Sequence, residues 1–140
     1  MKKVILLSTT LLILFISCKT TEYETIIKDS DFRSTINTGK FIEFENGFTY
    51  YEIENGNQKN TLVFIHGFSV PSYIWDNTFN SAIKKGYRVI RLDLYGRGYS
   101  DNPNTDYTDE LFADQVIELL KKLNIDKATF LGLSNGGRVI

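Results

Sequence analysis

The chain has 140 residues, 42% of them hydrophobic and 14% aromatic, enough apolar material for a packed core and too much for a disordered or low-complexity segment. Its formal net charge is −1, and setting aside Lys2 and Lys3 leaves 14 basic against 17 acidic residues, a balance that excludes a chain built to grip a phosphate backbone, so no nucleic-acid partner is expected. Cys18 is the one cysteine, which rules out an intramolecular disulfide.

Lys2 and Lys3 precede an apolar stretch at 4–16 that is interrupted only by Ser8, Thr9 and Thr10, and small Ser17 stands before Cys18. The stretch is shorter than the roughly 20 residues a spanning helix needs, so residues 1–17 are predicted to be a secretion signal. Phe15-Ile16-Ser17-Cys18 resembles a bacterial lipobox, with Phe15 where leucine is commonest. That resemblance implies that Cys18 becomes the lipidated first residue of an exported protein, anchored to the membrane of the bacterial cell envelope. Several acyl chains there would hold firmly, at about 0.8 kcal/mol per buried CH₂. An ordinary secretory signal with an incidental cysteine is the alternative. Residues 18–40 are polar and lack sustained periodicity. They read as the anchor cysteine and a tether, although Ile26, Ile27 and Phe32 could instead pack a short helix on the body.

Residues 41–140 carry the periodicities of an α/β domain. Apolar runs at 41–44 and 48–53 flank Asn46-Gly47, a strong hairpin signal. The run at 61–68 reads as a buried strand ending in His66-Gly67. After Pro71, the residues Ile74, Trp75, Phe79, Ala82 and Ile83 line one face of a predicted helix that Gly86 ends. Trp75 and Phe79 are expected in the core rather than against a substrate. A second strand leads from Tyr87 into the loop Asp93-Leu94-Tyr95-Gly96-Arg97-Gly98-Tyr99-Ser100. Between 109 and 123, Leu111, Phe112, Val116, Leu119, Leu120 and Leu123 form another helical stripe, with Glu118 and Lys122 spaced to pair on the wet side. A third strand at 127–131 runs into Gly132-Leu133-Ser134-Asn135-Gly136-Gly137. Strand, helix, strand, helix, strand predicts a doubly wound, mostly parallel sheet with an antiparallel N-terminal hairpin.

The last motif reads as a nucleophile elbow: a strand turns sharply into a helix, and Gly132 and Gly136 let backbone crowd together around Ser134. Together the segments His66-Gly67-Phe68, Asp93 to Ser100 and Gly132 to Gly137 resemble the α/β-hydrolase superfamily, in its branch of esterases and lipases, over residues 41–140. The resemblance implies that Ser134 is the nucleophile and that the backbone N–H groups of Asn135 and Phe68 form the oxyanion hole, with Gly67 allowing close approach and His66 supporting the loop. The start of the helix at Asn135 would add partial positive charge. No metal or cofactor is expected. As a dinucleotide fingerprint Gly96-Arg97-Gly98 fails, since the third glycine would fall at Asp101.

A serine hydroxyl needs a general base. His66 is the only histidine, yet it holds the oxyanion-loop position, and triads on this fold run serine, acid, histidine. No Asp, Glu or His follows Ser134. The chain stops in the first turns of the helix after the elbow, without a cap, which predicts a piece truncated from a longer domain that holds the acid and base. Asp93 is expected to organise the glycine loop rather than to act in catalysis, with Ser100 and Asp101 hydrogen-bonding locally. The function expected from the resemblance is hydrolysis of a small-molecule carboxylic ester or other acyl substrate through a Ser134 acyl-enzyme. C–C bond hydrolase, peptidase and perhydrolase are alternatives on the same fold, and a catalytically inactive, truncated surface lipoprotein is the alternative of another class. Serine at the elbow disfavours the branches that use aspartate there.

Overall fold

The computed structural model describes residues 27–56 and 58–140. The signal expected at 1–17, the lipidation expected at Cys18 and the first part of the tether, with Ile26, lie outside the described residues. Among the described residues no helix is long and apolar enough to cross a membrane.

Among the described residues five strands form one sheet: β1 (Lys40–Phe44), β2 (Gly47–Glu54), β3 (Thr61–Ile65), β4 (Arg88–Leu92) and β5 (Thr129–Gly132), in the order β1-β2-β4-β3-β5. Pairing is antiparallel for β1 with β2 and for β2 with β4, and parallel for β4 with β3 and β3 with β5. Hence β2 alone runs against the other four. Among the described residues the α-helices are the short α1 (Ser30–Ser34) and α4 (Gly136–Val139) and the longer α2 (Asp76–Lys84) and α3 (Asp109–Lys122).

Alternation along the strands divides the core in two, because successive side chains on a strand point to opposite faces. Val63, Ile65, Ile90 and Leu92 face one way, packed with Phe112, Val116 and Leu119 of α3 and Val139 of α4. Phe64 and Val89 face the other way, onto Phe79 and Ala82 of α2. Helices therefore cover both faces, as the strand-helix alternation requires. Thr108 caps α3 by accepting from the Leu111 N–H, and Asn124, at φ +54°, turns the chain out of it. Gly86, at φ +82°, does the same for α2.

Several local expectations are corrected. The hairpin forms, but its turn residues are Glu45 and Asn46, and Gly47 already pairs with Phe44. Gly47 is needed for another reason: at φ +117°, any Cβ would sit 2.9 Å from an Asp101 carboxylate oxygen. The helix after Pro71 begins as a 3₁₀ turn, Ser72–Trp75, so Ile74 swings out to 45% exposure, while Trp75 keeps its place on the Phe64 ring. Asp101 does not bond locally through its side chain. Its carboxylate accepts from the Phe48 N–H at 2.8 Å and pairs with Arg33 of α1 at 3.0 Å. The polar stretch before Lys40 rests on the body from Lys28 onward, through Lys28 to the Ser100 carbonyl and Phe32 against the Tyr99 ring. Ile27, 79% exposed, takes no part in that packing.

Gln115, on the buried face of α3, escaped the hydrophobic pattern. It is 1% exposed, donates to the Thr49 hydroxyl and the Asp93 carbonyl, and accepts from the Tyr95 N–H. Gln115→Ala leaves the buried Tyr95 N–H without its acceptor and takes one donor each from the Thr49 hydroxyl and from the Asp93 carbonyl, which keeps its bond from Ser100; a buried polar group left unsatisfied costs about 1–3 kcal/mol. We expect it to lower stability by about 2–4 kcal/mol in denaturant unfolding, where a change under about 0.5 kcal/mol would show the network to be dispensable.

Candidate active site

The carboxyl ends of β3, β4 and β5 lie side by side, and each runs directly into one of the three motifs. This is the edge at which open parallel sheets bind ligands. At the end of β5, the Leu133 N–H still donates to the Ile65 carbonyl at 3.0 Å, so the chain remains tied to β3 until the residue before Ser134. Ser134 then adopts φ +51°, a left-handed conformation that costs a residue with a Cβ roughly 1–2 kcal/mol. Its side chain is exposed. Asn135, at φ −56°, opens α4.

The glycines around Ser134 are dictated by crowding. A Cβ on Gly132 would lie 2.4 Å from the Gly136 carbonyl oxygen, and one on Gly136 would lie 2.4 Å from the Ile65 oxygen and 2.6 Å from that of His66. Real Cβ atoms do not approach backbone so closely. Gly137 differs, since a Cβ there would meet nothing nearer than 4.0 Å. Gly67 closes the arrangement from the β3 side: its missing Cβ would stand 3.3 Å from the Ser134 Cβ. The structure thus brings His66, Gly67, Phe68, Gly132, Ser134, Asn135 and Gly136 to one edge. A cleft of about 480 Å³ beside the elbow is lined by Phe68, Arg97, Tyr107, Phe112, Asn135 and Arg138.

His66 is wholly buried, and both ring nitrogens are engaged. Nε2 lies 2.9 Å from the Leu94 N–H, which can only donate, so Nε2 carries no proton and accepts. Nδ1–H then donates to the Gly67 carbonyl at 2.6 Å. Burial pushes the imidazole pKa below its ordinary value, an effect the nearby Arg97 reinforces and the Gly67 bond and Asp93 oppose. The ring is therefore neutral and turned away from proton transfer with Ser134. It holds the Gly67 carbonyl, which belongs to the same planar peptide as the Phe68 N–H.

Asp93, 2% exposed, fastens two loops together. One carboxylate oxygen accepts from the Ser72 N–H and the other from the Tyr99 N–H, both at 2.8 Å. Gly98 must lack a side chain because a Cβ there would fall 2.0 Å from the Asp93 carboxylate. Ser100 bonds within the loop, donating to the Asp93 carbonyl, and also accepts from the Tyr50 N–H. Arg97 carried no signal in the sequence beyond lying between two glycines. In the structure its Nε donates to the Phe68 carbonyl and its guanidinium lies 4.5 Å from the centre of the Phe68 ring.

The lowered His66 pKa has a consequence for stability. Between the depressed folded value and the ordinary value of 6.5, the unfolded chain binds more protons than the folded one. The contribution of neutral His66 is complete above that window and is lost as pH falls through it. Urea midpoints should therefore drop between about pH 7.5 and about pH 5.5, and His66→Gln should flatten that part of the slope. An identical slope in the variant would remove His66 as the source.

Residues 60–140 match the family described as alpha/beta hydrolase fold. The chain is 30% identical over 101 residues to the AB hydrolase superfamily protein YisY of Bacillus subtilis, covering 72% of this chain and 37% of that protein. It is 37% identical over 76 residues to a non-heme chloroperoxidase of Streptomyces lividans, covering 54% of this chain and 28% of that one. Among solved structures, an esterase from Exiguobacterium antarcticum superposes with a TM-score of 0.67 at 30% identity, over 73% of this chain and 38% of the esterase. The matched segment thus spans about a third of the length of these relatives. Its three motifs, its sheet order and these matches together make it a member of the alpha/beta hydrolase fold family.

Proposed function

We propose that Ser134 is the nucleophile of a serine hydrolase that cleaves carboxylic esters through an acyl-enzyme. The observation that carries this reading is the left-handed Ser134 at φ +51°, exposed at a turn too crowded for any residue but glycine at 132 and 136. Backbone strain of this kind persists where surrounding structure enforces it, and it gathers at reactive positions. In the proposed reaction Ser134 Oγ attacks the ester carbonyl while its proton passes to a base. The Phe68 and Asn135 N–H groups receive the negative charge of the tetrahedral oxygen. Collapse expels the alcohol with that proton, and water then releases the acid. No metal or cofactor enters these steps.

The base cannot be His66, whose nitrogens are both committed, and this chain has no other histidine. We place the base and its acid partner in a longer protein that contains this chain, a reading in keeping with relatives about twice its length. The 140 residues alone would then be inactive. Kinship with a chloroperoxidase favours one second reading, a perhydrolase in which hydrogen peroxide replaces water in attacking the acyl-enzyme and releases a peracid.

In the complete protein, Ser134→Ala should abolish fluorophosphonate labelling and lower nitrophenyl-ester turnover on the order of a million-fold, as loss of a triad nucleophile does. Retained labelling would overturn the assignment. Peroxide-dependent halide oxidation that needs Ser134 and exceeds ester hydrolysis would select the perhydrolase.

The leader supports a further proposal, that the protein is exported and held to the cell envelope by lipid on Cys18. Cys18→Ser should end incorporation of labelled fatty acid and processing after Ser17, because only a thiol there accepts the lipid. Unchanged labelling would leave the leader an ordinary signal.

A further inference from the structure

The loop after β3 has no regular secondary structure between His66 and Pro71, and Phe68 is 69% exposed, so packing does not fix its backbone. Polar contacts from the segment after β4 hold it instead. The Leu94 N–H grips His66 at one end of the loop, and Asp93 grips the Ser72 N–H at the other. Arg97 reaches the middle, at Phe68 itself, with Nε on the carbonyl and the guanidinium face over the ring at 4.5 Å.

Phe68 is therefore held on both of its peptide planes. The plane before it contains the Gly67 carbonyl and the Phe68 N–H, which point in opposite directions across a trans bond, and His66 holds that carbonyl. The plane after it contains the Phe68 carbonyl, held by Arg97. With both planes pinned, the direction of the Phe68 N–H is set. Arg97 is itself fixed, its terminal NH1 donating to the Gly96 carbonyl at 3.0 Å and its N–H to the Leu94 carbonyl at 3.0 Å. Gly96 at φ +72° and Gly98 at φ +50° fold the loop back so that the side chain between them faces Phe68. An ammonium cannot substitute fully, because the contact uses two donors and a flat cationic face together.

Resting on the serine-hydrolase reading above, we infer that Arg97 is a positioning residue for the oxyanion hole: it aims the Phe68 N–H at the place where negative charge develops on the substrate oxygen. The Gly96-Arg97-Gly98 run, which fits no nucleotide site, acquires a purpose in this role. An aimed donor acts on the transition state more than on the bound ester, so its loss should appear in kcat. Deleting a donor costs about 100- to 1000-fold. Releasing its aim should cost less, about 10- to 100-fold.

The experiment uses the complete protein with Arg97→Ala, Arg97→Lys and Ser134→Ala, a nitrophenyl ester as substrate, and a trifluoromethyl ketone, whose serine adduct carries the oxyanion, as inhibitor. Arg97→Ala should lower kcat about 10- to 100-fold with KM within about 2-fold of the parent, and raise the ketone Ki by a factor matching the fall in kcat. Added guanidinium should restore part of the rate, and Arg97→Lys should fall between parent and Arg97→Ala. A folded Arg97→Ala with parental kcat and Ki, or one that changes KM alone, overturns the proposal. Should Arg97→Ala fail to fold, parental kcat and Ki in Arg97→Lys overturn it equally. Full activity in Ser134→Ala would instead overturn the serine-hydrolase reading, so the two failures are told apart in one set of assays.

Discussion

The rest of the site depends on one close approach, that of the first turn of α4 to the carboxyl end of β3. A Cβ on Gly136 would lie 2.4 Å from the Ile65 oxygen, and the Gly132 position is closed in the same way by the Gly136 carbonyl. With no room to relax on either side, the two residues between Gly132 and Asn135 must reverse the chain over a very short path. Ser134 absorbs that reversal by entering the left-handed region. The same approach seats the elbow against Gly67, so the serine and the loop after β3 become neighbours through backbone contact rather than side-chain packing. Backbone contact is stiff, and a stiff seat suits a group whose reach is a single rotatable bond.

Asp93 and His66 form a second level of constraint. Each is buried and each has both polar side-chain atoms bonded to backbone, one bond within its own loop and one to the neighbouring loop. Both bind segments that have no ladder of their own, and in that respect they stand in for secondary structure. The cost is that neither is free for chemistry. Gln115 carries the constraint one layer deeper, tying α3 to the Asp93 carbonyl and to Thr49 of β2. Helix, sheet and both loops are thus joined through a few buried polar atoms. Such networks are sensitive to loss of any member, because the unpaired remainder stays buried.

What was legible in the sequence was what steric exclusion writes into residue type. Gly132, Gly136 and Gly98 stand where a side chain would strike backbone or a carboxylate, and Gly67 where one would be tight against the Leu133 carbonyl oxygen. Alternating apolar residues likewise disclosed the strands, and a 3.6-residue stripe disclosed α3. Contacts across long stretches of chain were not legible. Arg97 on Phe68, Asp101 on Phe48 and Arg33, and Gln115 on Thr49 are polar residues whose partners only the fold brings near. Local pattern offers no means of telling them from solvated residues. The hairpin shows the same limit at short range: Asn46-Gly47 marked the turn, but Gly47 answers to Asp101, more than fifty residues away.

The proposed chemistry divides between parts of the site that differ in mobility. Electrostatic stabilisation of an oxyanion needs donors fixed before the reaction begins, since any reorganisation would be charged against the barrier. The Phe68 and Asn135 amides answer that need, one between pinned peptide planes and the other on the first turn of a helix wedged against β3. Proton transfer has a different requirement, a group of suitable pKa that can reach Oγ. A histidine as deeply buried and doubly bonded as His66 cannot meet it. Because Gly67 lies against one side of Ser134 and α4 leaves from beneath it, a base can approach only across the exposed side of the serine. The anion-binding and proton-transfer functions thus fall on opposite sides of the nucleophile, and fixing the first more tightly need not hinder the second.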